Sequence, residues 1–171
     1  MDDYYKTRIE ASRKAYERLL KDENYTEVRF NPENGALSAV HIDHNFDPTI
    51  GKFGIPRGDY ERKALSVLFE YGNRVILESE KKGYEIKTPD GFLNGTIFDI
   101  KGIEGSSRRA IKDAFSKASG QGAEIVVLYF HDKNMLNIDA IKDSYSMYLI
   151  NSRSKRIKTI YCITGKYVYK I

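Results

Sequence analysis

One cysteine, three histidines and no tryptophan are what this 171-residue chain has least of. The single thiol, Cys162, excludes an internal disulfide and any zinc site built from several cysteines, and its strand-like surroundings read as those of a buried, inert side chain. Long apolar runs are missing too. The longest, Ile125 to Phe130, is far too short to span a bilayer, so no membrane partner is expected. The opening Met1-Asp2-Asp3 lacks the basic and apolar regions of a signal peptide, and no internal repeat or low-complexity linker interrupts the chain. Neither sign of charge dominates: Lys and Arg number 28 and Asp and Glu 24, and the net +4 permits an anionic partner without requiring one. With 41% hydrophobic and 30% charged residues, the length fits one domain with a real core and room for one active site.

What is present is most concentrated between Pro89 and Lys101. Asn94-Gly95 is a strong two-residue hairpin signal, because both residues tolerate the positive φ of a type I′ turn. That turn pairs Leu93 with Thr96, Phe92 with Ile97 and Gly91 with Phe98, and sets Asp90 opposite Asp99. Lys101 shares the face of Asp99, while Phe98 and Ile100 point to the other, buried face. Two opposed carboxylates repel unless something compensates them, and a divalent cation would do so. Mg²⁺ suits the pair, since it takes one or two carboxylates and keeps several waters. Taken alone, Pro-Asp-Gly is also a common turn and Asp-x-Lys a common hairpin edge.

Around the hairpin the expected order is a helix capped by Asp59 and running to Tyr71, a strand from Arg74 to Glu80, Tyr84 to Thr88 leading into the hairpin, a helix capped by Ser106 or Ser107 and closed by Gly120, and an apolar strand from Ala123 to Phe130. The chain before it reads as a helix from Tyr4 to Leu20 and strands from Thr26 to Phe30 and Leu37 to Ile42. After it come a helix from Asn137 to Asn151, with Leu149 and Tyr148 inward, and a hairpin of Ile157 to Ile163 and Tyr167 to Ile171. One domain is expected: an accessory segment 1–57, a core 58–130, and a C-terminal helix and hairpin 131–171.

Pro89-Asp90 followed by Asp99-Ile100-Lys101, in the order α-β-β-β-α-β, resembles the PD-(D/E)XK signature of restriction-endonuclease-like nucleases, although the gap between the two aspartates is short for that pattern. The resemblance implies an α/β (α+β) fold with Asp90 and Asp99 as Mg²⁺ ligands and Lys101 orienting the attacking water. It adds an acidic residue from the first core helix, Glu70 or Glu61. Wider stretches, Asp90 to Gly95, Phe98 to Lys101, Ile111-Lys112 and Ala118 to Ala123, resemble the C-terminal toxin nucleases of contact-dependent growth inhibition and related polymorphic toxins, many of which cut tRNA. That resemblance implies an RNase, a cognate immunity protein, and action in the cytoplasm, either of its own cell or of a target cell reached by an unseen carrier. The same toxins include the barnase/EndoU/colicin/RelE fold, which cuts RNA without metal.

The second chemistry has its own candidates. His41 and His44 stand within the segment His41 to Asp47, and either could act as general base, with Lys101 or Arg109 stabilising the phosphorane. Turn hydrogen bonds are the other use of such a segment. Arg109, Lys112, Arg153, Lys155 and Arg156 are candidates for holding the phosphate backbone, the last three also fitting a basic helix terminus. A third reading is a nucleic-acid-binding accessory protein of a mobile element, without catalysis.

Overall fold

A computed structural model describes residues 2–80, 88–105 and 107–171. Helix α1 (Asp3–Lys21) starts where the Asp2 carboxylate accepts the Tyr4 backbone N–H. Strands β1 (Tyr25–Phe30) and β2 (Leu37–His41) form an antiparallel pair, and α2 (Gly58–Glu70) leads to β3 (Arg74–Leu77). The hairpin β4 (Gly91–Leu93) and β5 (Thr96–Ile103) follows, then α3 (Arg108–Gly120), β6 (Ile125–Phe130), α4 (Ile138–Asn151), β7 (Thr159–Thr164) and β8 (Tyr167–Lys170). Among the described residues, eight strands make one sheet in the order of the chain, unbroken at residues 57 and 130. The mixed α/β architecture and the α-β-β-β-α-β order from α2 to β6 are as expected from sequence.

Pairing alternates between hairpins and crossovers. β4 runs antiparallel to both β3 and β5, whereas β2 and β3, β5 and β6, and β6 and β7 run parallel, each parallel pair being joined through a helix. Helices therefore cover both faces. On one, Tyr60, Ala64 and Leu68 of α2 pack on Val75, Leu77, Leu93, Phe98, Ile100 and Val127. On the other, Ile111, Phe115 and Ala118 of α3 and Ile141 and Tyr148 of α4 pack on Val126, Leu128, Phe130 and Cys162. Alternation along β5 sends Phe98 and Ile100 toward α2, leaving Asp99, Lys101 and Ile103 on the α3 side.

The hairpin has the expected register, Gly91 with Phe98, Phe92 with Ile97 and Leu93 with Thr96, and its turn residues Asn94 and Gly95 have φ of 51° and 84°. Several edges differ from expectation. β3 stops at Leu77, and α2 begins at Gly58 with no side-chain cap, so Asp59 lies inside its first turn. Gly58 is needed there because a Cβ would sit 2.7 Å from the Phe46 Cβ and 2.8 Å from the Asp47 amide. Leu149 is exposed, not inward, because Tyr148 and Ile141 already fill the face of α4 against α3. Ser107 caps α3 by accepting the Ala110 N–H; Ser106 and the expected approach from Tyr84 to Lys87 lie outside the described residues. Among the described residues no helix is long and apolar enough to cross a membrane.

Candidate metal-binding carboxylate site

Acidic side chains from four separate segments converge where β2 and β3 end and β4 begins. Asp90 immediately precedes β4, held by its Oδ2 accepting the Ile100 N–H at 2.6 Å and by its carbonyl accepting the Glu78 N–H at 2.8 Å. Gly91 permits this seat, because a Cβ there would collide with the Ile76 carbonyl oxygen. Asp90 and Asp99 are only 4% and 1% exposed. Burial pushes the Asp90 carboxyl well above the usual carboxylate range, and the neighbouring charges of Asp99 and Glu61 push it further.

Glu61, one turn into α2, and Glu80, beyond β3, complete the acidic group with His44 from the loop after β2. Ligand atoms of His44, Glu61, Glu80 and Asp90 all lie within 4.8 Å of one another. The imidazole is fully buried, with Nδ1 2.8 Å from the Glu78 carbonyl oxygen and Nε2 2.9 Å from Glu61 Oε2. Burial opposes its charge, but the hydrogen bond and charge of Glu61, the Glu78 carbonyl and the Glu80 charge outweigh it and raise its pKa. Burial also raises the Glu80 carboxyl, with the charge of His44 working against the rise and that of Glu61 adding to it.

Lys101 borders the group. Its ammonium lies 2.6 Å from Asp99 Oδ2 and donates to Gln121 Oε1 at 2.7 Å, while Gln121 Nε2 reaches the Thr88 carbonyl at 3.4 Å. The contact with Asp99 is one of charge without hydrogen-bond alignment, so Asp99 Oδ2 is a buried oxygen with no hydrogen-bond partner among the described residues. Among the described residues, four carboxylates thus stand near one ammonium and one imidazole. Buried carboxylates gathered at one point and oxygen-rich donors are what a hard divalent cation satisfies.

Other expected residues lie elsewhere. Glu70 does not join the carboxylates: it ends α2, nine residues or about 13 Å of helix beyond Glu61, and its exposed side chain stands 3.7 Å from Arg29. His41 uses Nδ1 to accept the Asp43 N–H at 3.0 Å and packs edge-on against Tyr25, a turn role that leaves it outside the cluster. Arg109 is exposed in the first turn of α3, whereas Gln121 follows the last, so about 18 Å of helix separates it from the residue that holds Lys101. Lys112 pairs with Asp113 at 3.3 Å. Arg153, Lys155 and Arg156 are exposed beside the end of α3, where the Arg156 N–H donates to Ser119 Oγ at 2.8 Å, near Gln121. Glu80 and Gln121 were not singled out from sequence, and only the Gly120-Gln121-Gly122 helix ending marked the latter.

Residues 87–166 match the family model of the contact-dependent growth inhibition CdiA C-terminal domain. The toxin-domain resemblance carried by the hairpin and the Gly-Gln-Gly segment is borne out by that match, which runs from before β4 to the turn after β7. In contact-dependent growth inhibition this C-terminal domain is the toxin delivered into a target cell. The matched stretch supplies Asp90, Asp99, Lys101 and Gln121. His44, Glu61 and Glu80 come from the part of the chain before it. No curated protein and no solved structure matches the chain significantly.

Proposed function

We propose that this toxin domain is a nuclease of the PD-(D/E)XK type that hydrolyses RNA phosphodiesters, tRNA foremost, with help from Mg²⁺. The observation that carries the proposal is the gathering of Glu61 with Asp90, whose carboxyl also feels the charge of the Asp99 that pairs with Lys101. Asp90, Asp99 and Glu61 would hold the cation, with Glu80 at its margin. When bound, it supplies Lewis acidity that makes water a nucleophile near neutral pH and offsets charge on the phosphate. Lys101, anchored by Gln121, orients water toward the phosphorus and balances the charge of Asp99. His44 fixes the Glu61 carboxylate from behind and is a positioning residue.

The test is cleavage of total tRNA and of plasmid DNA with Mg²⁺ and with chelator, followed by analysis of the product ends. Hydrolysis by water leaves phosphate on one end and hydroxyl on the other. Chelator-resistant cleavage that leaves a 2′,3′-cyclic phosphate would instead favour the histidine-dependent RNase. Cutting of neither polymer would favour a binding protein. The family match also supports a cognate immunity protein as partner and a target-cell cytoplasm as the place of action.

A further inference from the structure

Among the described residues, one face of the sheet is left open between α1 and α3. Alternation puts Arg74 and Ile76 of β3, Phe92 of β4 and Ile97 of β5 on it, opposite the core residues Val75, Leu77, Leu93 and Phe98. Ile76, Phe92 and Ile97 are cross-strand neighbours, and Asp99 and Lys101 follow Ile97 on the same face. A groove of about 620 Å³ lies over this row, bordered by Tyr4 and Arg8 of α1 and by Arg74. A second depression continues it past Phe92 and Ile97 to Thr88, whose carbonyl accepts from the Gln121 that anchors Lys101. The open face therefore leads into the carboxylate site.

Its chemistry is uneven along its length. Burial, and then the charges of Arg8 and Arg18, lower the pKa of Arg74, and among the described residues no carboxylate forms an ion pair with it. Arg8 donates to the Gly72 carbonyl, which pins it at the rim. Phe92 is 41% exposed and Tyr4 71%, both beside these guanidinium groups. Arginines interleaved with exposed rings are what an unpaired polynucleotide uses, its phosphates meeting the cations and its bases stacking on the rings. A paired duplex hides its base faces and gains nothing from Phe92. Glu78 lines the second depression, with both of its oxygens engaged by the Tyr25 hydroxyl at 2.9 and 2.8 Å, while Asp22 lies to one side, in a depression it shares with Arg74 and Glu78.

We infer that the groove formed by Arg8, Arg74 and Phe92, with Tyr4 at its rim, binds an unpaired segment of the RNA and feeds it toward Asp99 and Lys101. The inference rests on the nuclease reading above and deepens it, assigning single-stranded loops or ends as the substrate element. From Arg74 to Asp99 the path covers four residues of strand rise and two strand spacings, about 16 Å.

The experiment measures fluorescence anisotropy of a labelled oligouridylate and of a matched RNA duplex, in chelator, against wild type, Arg74→Gln, Phe92→Ala and the α4 control Lys142→Gln. Cleavage of tRNA with Mg²⁺ and the melting temperature of each variant are recorded alongside. Arg74→Gln and Phe92→Ala are each expected to weaken oligouridylate binding about fivefold or more. Arg74→Gln should also reduce the salt slope by about 0.7. The duplex and the control should change less than twofold. Since Arg74→Gln relieves repulsion, a melting temperature no lower than wild type separates lost binding from lost fold.

Unchanged oligouridylate affinity in both variants would overturn the inference and leave the groove to a protein with an acidic face. An equal loss on the duplex would overturn the assignment to unpaired RNA. Lost binding in a protein that cleaves nothing would uphold the groove while removing the nuclease reading. Normal cleavage with unchanged binding would do the reverse.

Discussion

Asp90 stands opposite Asp99 at the open end of the β4–β5 hairpin, each carboxylate almost wholly buried, and Asp90 is held there by the N–H of the residue after Asp99. Such a pair costs the fold stability. In the proposed reading a bound cation offsets that cost, and the cost can be measured.

Asp90→Asn keeps an oxygen for the Ile100 N–H and removes the charge. Because burial and Asp99 raise the folded carboxyl above its unfolded value, wild-type stability is greatest below the ordinary carboxylate range and is lost as pH rises through the raised value. At neutral pH the variant should therefore be more stable by about 1 kcal/mol or more, seen as a rise of about 2–4 °C or more in Tm. Its advantage should shrink toward pH 4. A melting temperature below wild type at neutral pH would mean that the pair is not strained.

Mg²⁺ should have the converse effect. Added at about a hundred times its dissociation constant, it should stabilise the wild type by about 2.7 kcal/mol in the absence of RNA, since only the folded chain assembles the carboxylates. Asp90→Asn combined with Asp99→Asn should abolish the shift. A shift surviving in that variant would locate the cation elsewhere.

The two helix glutamates separate cleanly. Glu61→Gln should lower cleavage about 10–100-fold or more, whereas Glu70→Gln, which among the described residues touches the exposed Arg29 contact, should stay within about twofold of wild type. Initial rates on tRNA decide between them, and equal effects would undo the assignment of Glu61.

His44 carries both fold and site. Replacing it with Ala strips partners from the Glu78 carbonyl and from Glu61, at a cost of about 2–4 kcal/mol in urea unfolding. A loss below about 1 kcal/mol would show that the imidazole does not hold Glu61 in place.

The parts readable in sequence were those fixed locally. Asn94-Gly95 sets the hairpin register, and from that register follow the opposition of Asp90 to Asp99 and the common face of Asp99 and Lys101. The continuous apolar run of β6 likewise announced a strand covered on both faces. What sequence could not decide depends on how separate elements meet. Glu61 and Glu70 are both polar positions of one helix, and only the docking of α2 over the sheet selects the one near its start. His44 and His41 differ by three positions, yet the chain turns after His41 and carries His44 inward. Glu80 and Gln121 join the site through contacts across the sheet; no local pattern marks Glu80, and the helix ending that marks Gln121 does not show that it holds Lys101.

The central claim, that this carboxylate group hydrolyses RNA with a divalent cation, is tested most directly by the Mg²⁺ dependence of tRNA cleavage in wild type and Asp99→Asn, with circular dichroism of both. The account predicts cleavage that rises with Mg²⁺ and stops in chelator for wild type, and none at any Mg²⁺ concentration for a folded Asp99→Asn. Undiminished cleavage by that variant, or wild-type cleavage that persists in chelator, would contradict it.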